Sequence, residues 1–142
     1  MRRAILFDWW GTLIPGKSGV PQTMDPEVVA LLREAREGGL RFAIVTNQTK
    51  TGATATVLRT LGKYDAGDLF DFVLASADLL IHKPDPRIFR MALAGLGVSP
   101  CEAVFVGDTP GTDGGCEAVG LRYVLCDRAT GVSADELKAL LK

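Results

Sequence analysis

The residues of this chain that could do chemistry stand at or soon after the ends of short apolar runs. The first is Asp8, which ends the run Ala4–Phe7 and is followed by Trp-Trp-Gly-Thr-Leu. The polar residues that follow the later apolar runs are Thr46 with Asn47, Lys83, and Asp108 with Asp113. A carboxylate, a hydroxyl, an ammonium and an acidic pair are the groups that phosphoryl transfer needs.

The residue types indicate a role for each position. A carboxylate such as Asp8 can attack phosphorus and form an aspartyl-phosphate, which divides one difficult displacement into two easier ones. Because carboxylate and phosphate repel each other, a divalent cation must lie between them, and Mg²⁺ prefers oxygen ligands. Asp8 and Asp108 suit that task, with Asp113 as a direct or outer ligand. Thr46 and Lys83 would then bind the phosphoryl oxygens, and Asn47 beside Thr46 is also expected to contact substrate.

Each of these residues also has a simpler explanation when it is considered alone. An Asp or Thr at the end of a strand usually forms a turn or caps a helix, and a lone lysine is usually a solvated surface residue. Their occurrence together, after four consecutive apolar runs, favours a reactive site.

Alternating strands and helices would bring these residues together. The predicted strands are Ala4–Phe7, Leu40–Thr46, Phe70–Ser76, Ala103–Asp108 and Leu121–Cys126. Helical segments are predicted after the cap Asp25, over Thr51–Leu61, after the cap Asp85, before Gly120 and after the cap Ser133. This alternation predicts an α/β fold, a three-layer, doubly wound parallel sheet. Ligands bind beyond the carboxyl ends of the strands in such sheets, where the polar residues stand.

Composition excludes several classes of protein. The 142 residues fit a single domain, residues 1–142, and carry a net charge of −1 with scattered basic residues, so neither a nucleic-acid nor a membrane surface is expected. No apolar stretch approaches the roughly 20 residues of a membrane-spanning helix. The three cysteines, Cys101, Cys116 and Cys126, form no C-x-x-C pair and are expected to be reduced, which places the protein in the cytoplasm.

The chain resembles the haloacid dehalogenase (HAD) superfamily, and within it the branch that contains phosphoglycolate phosphatase and β-phosphoglucomutase. The resemblance is carried by four motifs: Asp8 with Gly11-Thr12-Leu13, Thr46-Asn47, Lys83-Pro84, and Gly107-Asp108 with Asp113. It implies a Rossmann-like core and an Mg²⁺-dependent phosphohydrolase. It further implies that Asp8 is the nucleophile, Thr46 and Lys83 bind phosphate, and Asp108 and Asp113 hold the metal.

Trp10 departs from the family pattern. In phosphatases of this family the residue two after the nucleophile is usually a second Asp, which protonates the leaving group and then activates water. An indole N–H can do neither, although the backbone carbonyl of Trp10 could still contact Mg²⁺. General acid–base catalysis contributes roughly 10²–10⁴ in rate. Three possibilities stay open: a slow phosphatase limited to good leaving groups, a chemistry that needs no acid here, or a degenerate protein that binds a phosphorylated ligand or partner.

The spacing of the motifs leaves no room for the cap domain that family members usually insert. The predicted site is therefore open, and either accepts a phosphorylated small molecule or a bulky phosphoester, or is covered by a second copy of the chain. The loop Pro15–Thr23 could act as a small flap. Trp9 and Trp10 are expected either to contact substrate or to pack beneath this loop.

Overall fold

Five parallel strands form the centre of the computed structural model, which describes residues 2–17, 19 and 23–142. The strands are β1 (Ala4–Phe7), β2 (Arg41–Thr46), β3 (Phe72–Ala75), β4 (Ala103–Gly107) and β5 (Arg122–Leu125). They are ordered β3-β2-β1-β4-β5, and every neighbouring pair is parallel. The predicted parallel α/β sheet is confirmed.

Helices connect the strands. They are α1 (Pro26–Glu37), α2 (Ala53–Lys63), α3 (Ser76–Leu79), α4 (Pro86–Leu96), α5 (Pro110–Asp113) and α6 (Ala134–Leu141), with 3₁₀ helices at Pro100–Glu102 and Gly114–Val119. The predicted caps form as expected. Asp25 and Asp85 each accept a hydrogen bond from the backbone N–H two residues ahead, and Ser133 forms a reciprocal capping box with Glu136.

Helix α2 differs from its predicted bounds at both ends. It begins at Ala53 because its first turn is capped from outside: the Asp78 carboxylate in α3 accepts hydrogen bonds from the N–H groups of Gly52 (2.6 Å) and Thr54 (2.9 Å). Gly62 does not end the helix, which continues to Lys63. A glycine in a helix is costly but tolerated where packing compensates.

The two faces of the sheet are covered by different helices. Alternate residues of β1 point to opposite layers: Ile5 and Phe7 belong to the core beneath α1, α2 and α6, whereas Ala4 and Leu6 belong to the core beneath α4. The three-layer, doubly wound arrangement is therefore confirmed. Cys126 and Cys116 are free thiols buried in these two cores.

The direction of the chain reverses at β1. From β1 the strands proceed outward to β3, and the chain then crosses to β4 and β5 on the other side of β1. Such a switch point opens a crevice at the carboxyl ends of the two adjoining strands. Asp8 follows β1 and Asp108 follows β4, so the reversal places these two carboxylates side by side.

Between β1 and α4 the described residues form only core elements: α1, β2, α2, β3 and α3. The absence of a cap stays a prediction, because residues 18 and 20–22 lie outside the described residues. The proposed flap Pro15–Thr23 falls largely on those residues. Among the described helices, none combines the length and apolar character needed to cross a membrane.

Candidate active site

Asp8 is held rigidly at the carboxyl end of β1. Its backbone N–H donates to the Val106 carbonyl in β4 (3.0 Å), which continues the ladder past the end of the strand. Its side-chain Oδ1 accepts hydrogen bonds from the backbone N–H of Trp9 (2.8 Å) and from Lys83 Nζ (3.0 Å). Among the described residues, Asp8 Oδ2 accepts no hydrogen bond. Every buried side-chain oxygen of those residues has a hydrogen-bond partner, so Oδ2 is not a buried atom. Oδ2 is therefore open to the pocket.

Lys83 is a fully buried cation, only 2% exposed. Its ammonium donates to Asp8 Oδ1 (3.0 Å), to the Val45 carbonyl (2.9 Å) and to Asp113 Oδ1 (2.5 Å). These three bonds use all three of its N–H groups. In this arrangement Lys83 orients two carboxylates and offsets their repulsion. Its role as a phosphate ligand stays a prediction.

Asn47 fixes the loop that carries Lys83. Its Oδ1 accepts from the backbone N–H of Lys83 (2.9 Å), and its Nδ2 donates to the Lys83 carbonyl (3.0 Å). The Lys83-Pro84 peptide bond is cis. The Asn47 amide, predicted to bind substrate, is thus engaged by backbone and positions the lysine. His82 is exposed beside this loop, and its carbonyl accepts from the N–H of Asp85.

Thr46 ends β2 within the same pocket as Asp8. It is buried, and its Oγ1 accepts a hydrogen bond from Gln48 Nε2 (3.0 Å). The hydroxyl can still donate its own proton, which suits the predicted contact with a phosphoryl oxygen.

Asp108 and Asp113 complete an acidic cluster around Asp8. Asp113 is fully buried, and its Oδ2 accepts from the Thr109 N–H (3.1 Å). A Cβ on Gly107 would collide with the Asp113 carboxylate, so this position requires glycine. Oxygen atoms of the three carboxylates lie within 4.8 Å of one another. Three hard oxygen donors at this spacing fit the ligand preference of Mg²⁺.

Burial raises the pKa of Asp8 from 3.8 to about 7. The attraction of Lys83 lowers the pKa and the repulsion of Asp113 raises it, and both effects are smaller than that of burial. The raised pKa means that burial disfavours the charged form of Asp8 in the metal-free site. A cation held by the cluster would favour the ionised, nucleophilic form.

The two tryptophans have different environments. Trp9 is 6% exposed and packs in the same core as Ile5 and Phe7, continuing the alternation of β1. Trp9 does not line the Asp8 pocket, but it borders a neighbouring groove with Gln48 and Thr49. Its packing in the core is observed, and its contact with substrate stays a prediction. Trp10 is 39% exposed and does line the pocket.

Arg128 is a residue of the pocket that the sequence motifs did not indicate. Its Nε donates to Asp108 Oδ2 (2.7 Å), its Nη2 donates to Thr109 Oγ1 (3.2 Å), and its guanidinium lies 5.2 Å from the centre of the Trp10 ring. The signal was present, because Arg128 stands three residues after β5, at the same sheet edge as the other site residues.

The assembled pocket is small, about 200 Å³. Its walls are Asp8, Trp10, Thr46, Asn47, Lys83, Asp108, Thr109, Thr112 and Arg128. A second groove of about 480 Å³, which shares Asn47 with it, runs past Ser76, Leu80 and His82. None of the described residues that line this groove is a carboxylate, so the smaller pocket is the candidate reactive centre.

Fold and site together define a doubly wound α/β protein with a lysine-bridged acidic cluster at its switch point. The chain belongs to the haloacid dehalogenase-like hydrolase family, whose family model matches residues 21–118. This range contains Thr46, Lys83, Asp108 and Asp113, and Asp8 lies before it. The expected family is confirmed.

Individual relatives agree with this assignment. A phosphoserine phosphatase of Thermus thermophilus is 43% identical over 104 residues, which cover 72% of this chain and 40% of that protein. A phosphoglycolate phosphatase of Pectobacterium atrosepticum is 31% identical over 106 residues, covering 71% of this chain and 44% of that protein. The chain thus spans less than half the length of these relatives. A HAD-superfamily hydrolase structure from Ehrlichia chaffeensis shares the fold, with a TM-score of 0.77 at 16% identity, covering 99% of this chain and 97% of that one.

Proposed function

We propose that the protein is an Mg²⁺-dependent phosphatase that hydrolyses phosphate monoesters through an aspartyl-phosphate at Asp8. The observation that carries the proposal is the geometry of that carboxylate. Oδ1 is fixed by Lys83 and by a backbone N–H, whereas Oδ2 faces the pocket beside Asp108. A nucleophile needs this combination of a fixed orientation and one free oxygen.

The reaction has two displacements. Asp8 Oδ2 attacks phosphorus, the bond from phosphorus to the ester oxygen breaks, and the alcohol leaves with a proton taken from solvent. Water then attacks the aspartyl-phosphate, which releases inorganic phosphate and restores the Asp8 carboxylate. The Thr46 hydroxyl would hold a phosphoryl oxygen during both steps. Asp8, Asp108, Asp113 and the Trp10 carbonyl would hold Mg²⁺, which would supply the positive charge that a phosphate needs beside three carboxylates.

Trp10 limits the expected rate. The residue that lines the pocket at this position has no acidic proton and no basic atom. The first displacement should therefore be fastest with esters of acidic alcohols, whose oxygen leaves without protonation.

The names of the relatives support a small substrate. Phosphoserine and phosphoglycolate, which occur in those names, are phosphate monoesters of small molecules. We propose that residues 1–142 act as one core domain with an open site. A bulky ester could enter such a site, and a second copy of the chain could cover it.

A second candidate function is binding without turnover. It is favoured by one observation: Arg128 pairs with Asp108 and lies over the ring of Trp10, the residue that stands where the family's acid would be. A degenerate member of the family would keep the fold and the phosphate site while losing the acid–base step.

Hydrolysis of p-nitrophenyl phosphate, whose leaving group needs no protonation, tests the leading proposal. We expect Mg²⁺-dependent turnover by the wild type, its loss on addition of EDTA, and a loss of at least 10³-fold in Asp8→Asn. Asp135→Asn is the matched control, because Asp135 is an exposed aspartate in α6. Equal turnover by wild type and Asp8→Asn would refute Asp8 as the nucleophile, and no turnover by the wild type would favour the binding function.

A further inference from the structure

Arg128 is the cation of the described pocket that still has capacity for a ligand. Lys83 is buried and uses all three of its N–H groups, whereas the side chain of Arg128 is 54% exposed. Its Nε and Nη2 contact Asp108 and Thr109, and its Nη1 donates to none of the described residues. One edge of the guanidinium is therefore available from the mouth of the pocket.

Contacts with the loop after β1 hold Arg128 in place. Its carbonyl accepts a hydrogen bond from the Gly16 N–H (2.7 Å). A Cβ on Gly16 would crowd Arg128 Cγ at 2.7 Å, and one on Gly11 would lie 3.3 Å from the same atom. The arginine stem thus lies on two glycines while its guanidinium rests on the Trp10 ring. A cation over an indole face is held by the ring's electrostatics, and a long side chain fixed in this way loses less entropy on binding.

We propose that Arg128, stacked on Trp10, binds a second anionic group of the substrate, a carboxylate or a second phosphate. This inference rests on the proposed phosphatase function and specifies its substrate class as small phosphate esters with two acidic groups. The planar guanidinium pairs with either anion through two parallel hydrogen bonds. The pocket of about 200 Å³ favours a short ester, since typical ligand sites occupy roughly 300–1,000 Å³.

The contact between Arg128 and Asp108 connects the arginine to the proposed cation site. Asp108 Oδ2 is the atom that Arg128 Nε contacts, and Asp108 belongs to the three-carboxylate cluster that fits a divalent cation. A cation held by Asp108 competes with the guanidinium for this carboxylate. The arginine then lacks a full counter-charge, and an acidic group of the substrate can supply it.

A matched series of esters tests the proposal. Phosphoglycolate and 2-hydroxyethyl phosphate differ in one group, a carboxylate against a hydroxymethyl, and ethane-1,2-diyl bisphosphate carries a second phosphate instead. For the wild type we expect kcat/KM to be at least tenfold higher for an anionic ester than for the neutral one. In Arg128→Gln this ratio should fall at least tenfold, and Arg128→Lys should retain part of it. Whichever anionic ester is preferred identifies the second group.

The control variant is Arg122→Gln, because Arg122 is an exposed arginine at the opposite end of β5. It should leave the ratio unchanged. An equal loss on all three esters in Arg128→Gln, or an unchanged ratio, would overturn the subsite.

Binding to Asp8→Asn, measured by calorimetry, separates the subsite from the proposed function. If the wild type hydrolyses none of the esters, the phosphatase proposal fails and the binding experiment decides the subsite. Tighter binding of an anionic ester than of 2-hydroxyethyl phosphate, by at least tenfold and lost when Arg128→Gln is added, supports the subsite. Equal binding of all three esters, or no binding, overturns it.

Discussion

Replacing Asp8 by asparagine should stabilise the metal-free protein at neutral and alkaline pH. The folded-state pKa of Asp8 is raised to about 7 from an unfolded value of 3.8, mainly by burial. A raised carboxyl pKa means that the folded state binds a proton more tightly than the unfolded state. The free energy of unfolding therefore falls as the pH rises from about 4 to about 7, and is constant again above that range. Asparagine mimics the protonated carboxyl, so the free energy of unfolding of the variant does not fall in this way as the pH rises.

The two pKa values set the size of the effect. Each pKa unit corresponds to 1.36 kcal/mol, so the penalty from the Asp8 charge is at most about 4 kcal/mol. For a chain of this length, 1 kcal/mol corresponds to roughly 2–4 °C in Tm. The Tm difference between Asp8→Asn and wild type should therefore increase by several degrees between pH 4.5 and pH 8.5.

Thermal unfolding in EDTA, followed by circular dichroism across this pH range, measures the difference. Subtracting the Tm of the wild type from that of the variant at each pH cancels the effect of all other titrating groups. Asp135→Asn shows the behaviour of an exposed aspartate. Addition of Mg²⁺ should raise the Tm of the wild type more than that of Asp8→Asn, because a ligand that binds only the folded state stabilises it. A Tm difference that stays constant or shrinks as the pH rises would refute the argument that burial of the Asp8 charge is costly.

Two further substitutions test individual positions. Trp10→Asp should increase the kcat of Mg²⁺-dependent hydrolysis of an alkyl phosphate by about 10²–10⁴-fold, because it restores an acid–base group. Trp10→Phe is the control. A change in kcat below threefold in Trp10→Asp would contradict the assigned role of this position. Gly107→Ala should lower the free energy of unfolding by about 1–3 kcal/mol, because its Cβ collides with the Asp113 carboxylate. Gly111→Ala, whose Cβ meets open space, is the matched control in urea unfolding, and equal stabilities of the two variants would contradict the crowding at Gly107.

The sequence predicted the framework of the site because parallel strands carry their polar residues to one edge. Asp8, Thr46, Lys83 and Asp108 were identified by this rule together with the family motifs, and all four line one pocket. The rule works because the order of strands does not matter: any permutation of a parallel sheet keeps the carboxyl ends on the same side. Arg128 follows the fifth strand and obeys the same rule, and it was missed because no known motif marked it.

The sequence could not predict the hydrogen-bond partners of each side chain. Lys83 and Asn47 are both ordinary polar residues in the sequence, but tertiary contacts engage the ammonium with three oxygens and the amide with backbone. Trp9 and Trp10 are adjacent and identical in type. Their environments differ because the alternation of β1 continues past the strand, so that Trp9 packs in the core and Trp10 lines the pocket. These outcomes depend on the path of the chain after the strand, which hydrophobic pattern does not specify.

The charges in and beneath the described pocket support the proposal that the phosphatase reaction depends on a bound cation. The carboxylates of Asp8, Asp108 and Asp113 face the two cations Lys83 and Arg128, which leaves a formal charge of −1 when Asp8 is ionised. Such a site repels a phosphate dianion, and the repulsion acts at short range in a partly buried pocket, where screening is weak. A divalent cation would change the balance to +1, which would both favour the ionised form of the proposed nucleophile Asp8 and attract the phosphate. The same change would weaken the hold of Asp108 on Arg128, so binding of the cation and availability of the arginine for a second acidic group would be coupled through a single carboxylate.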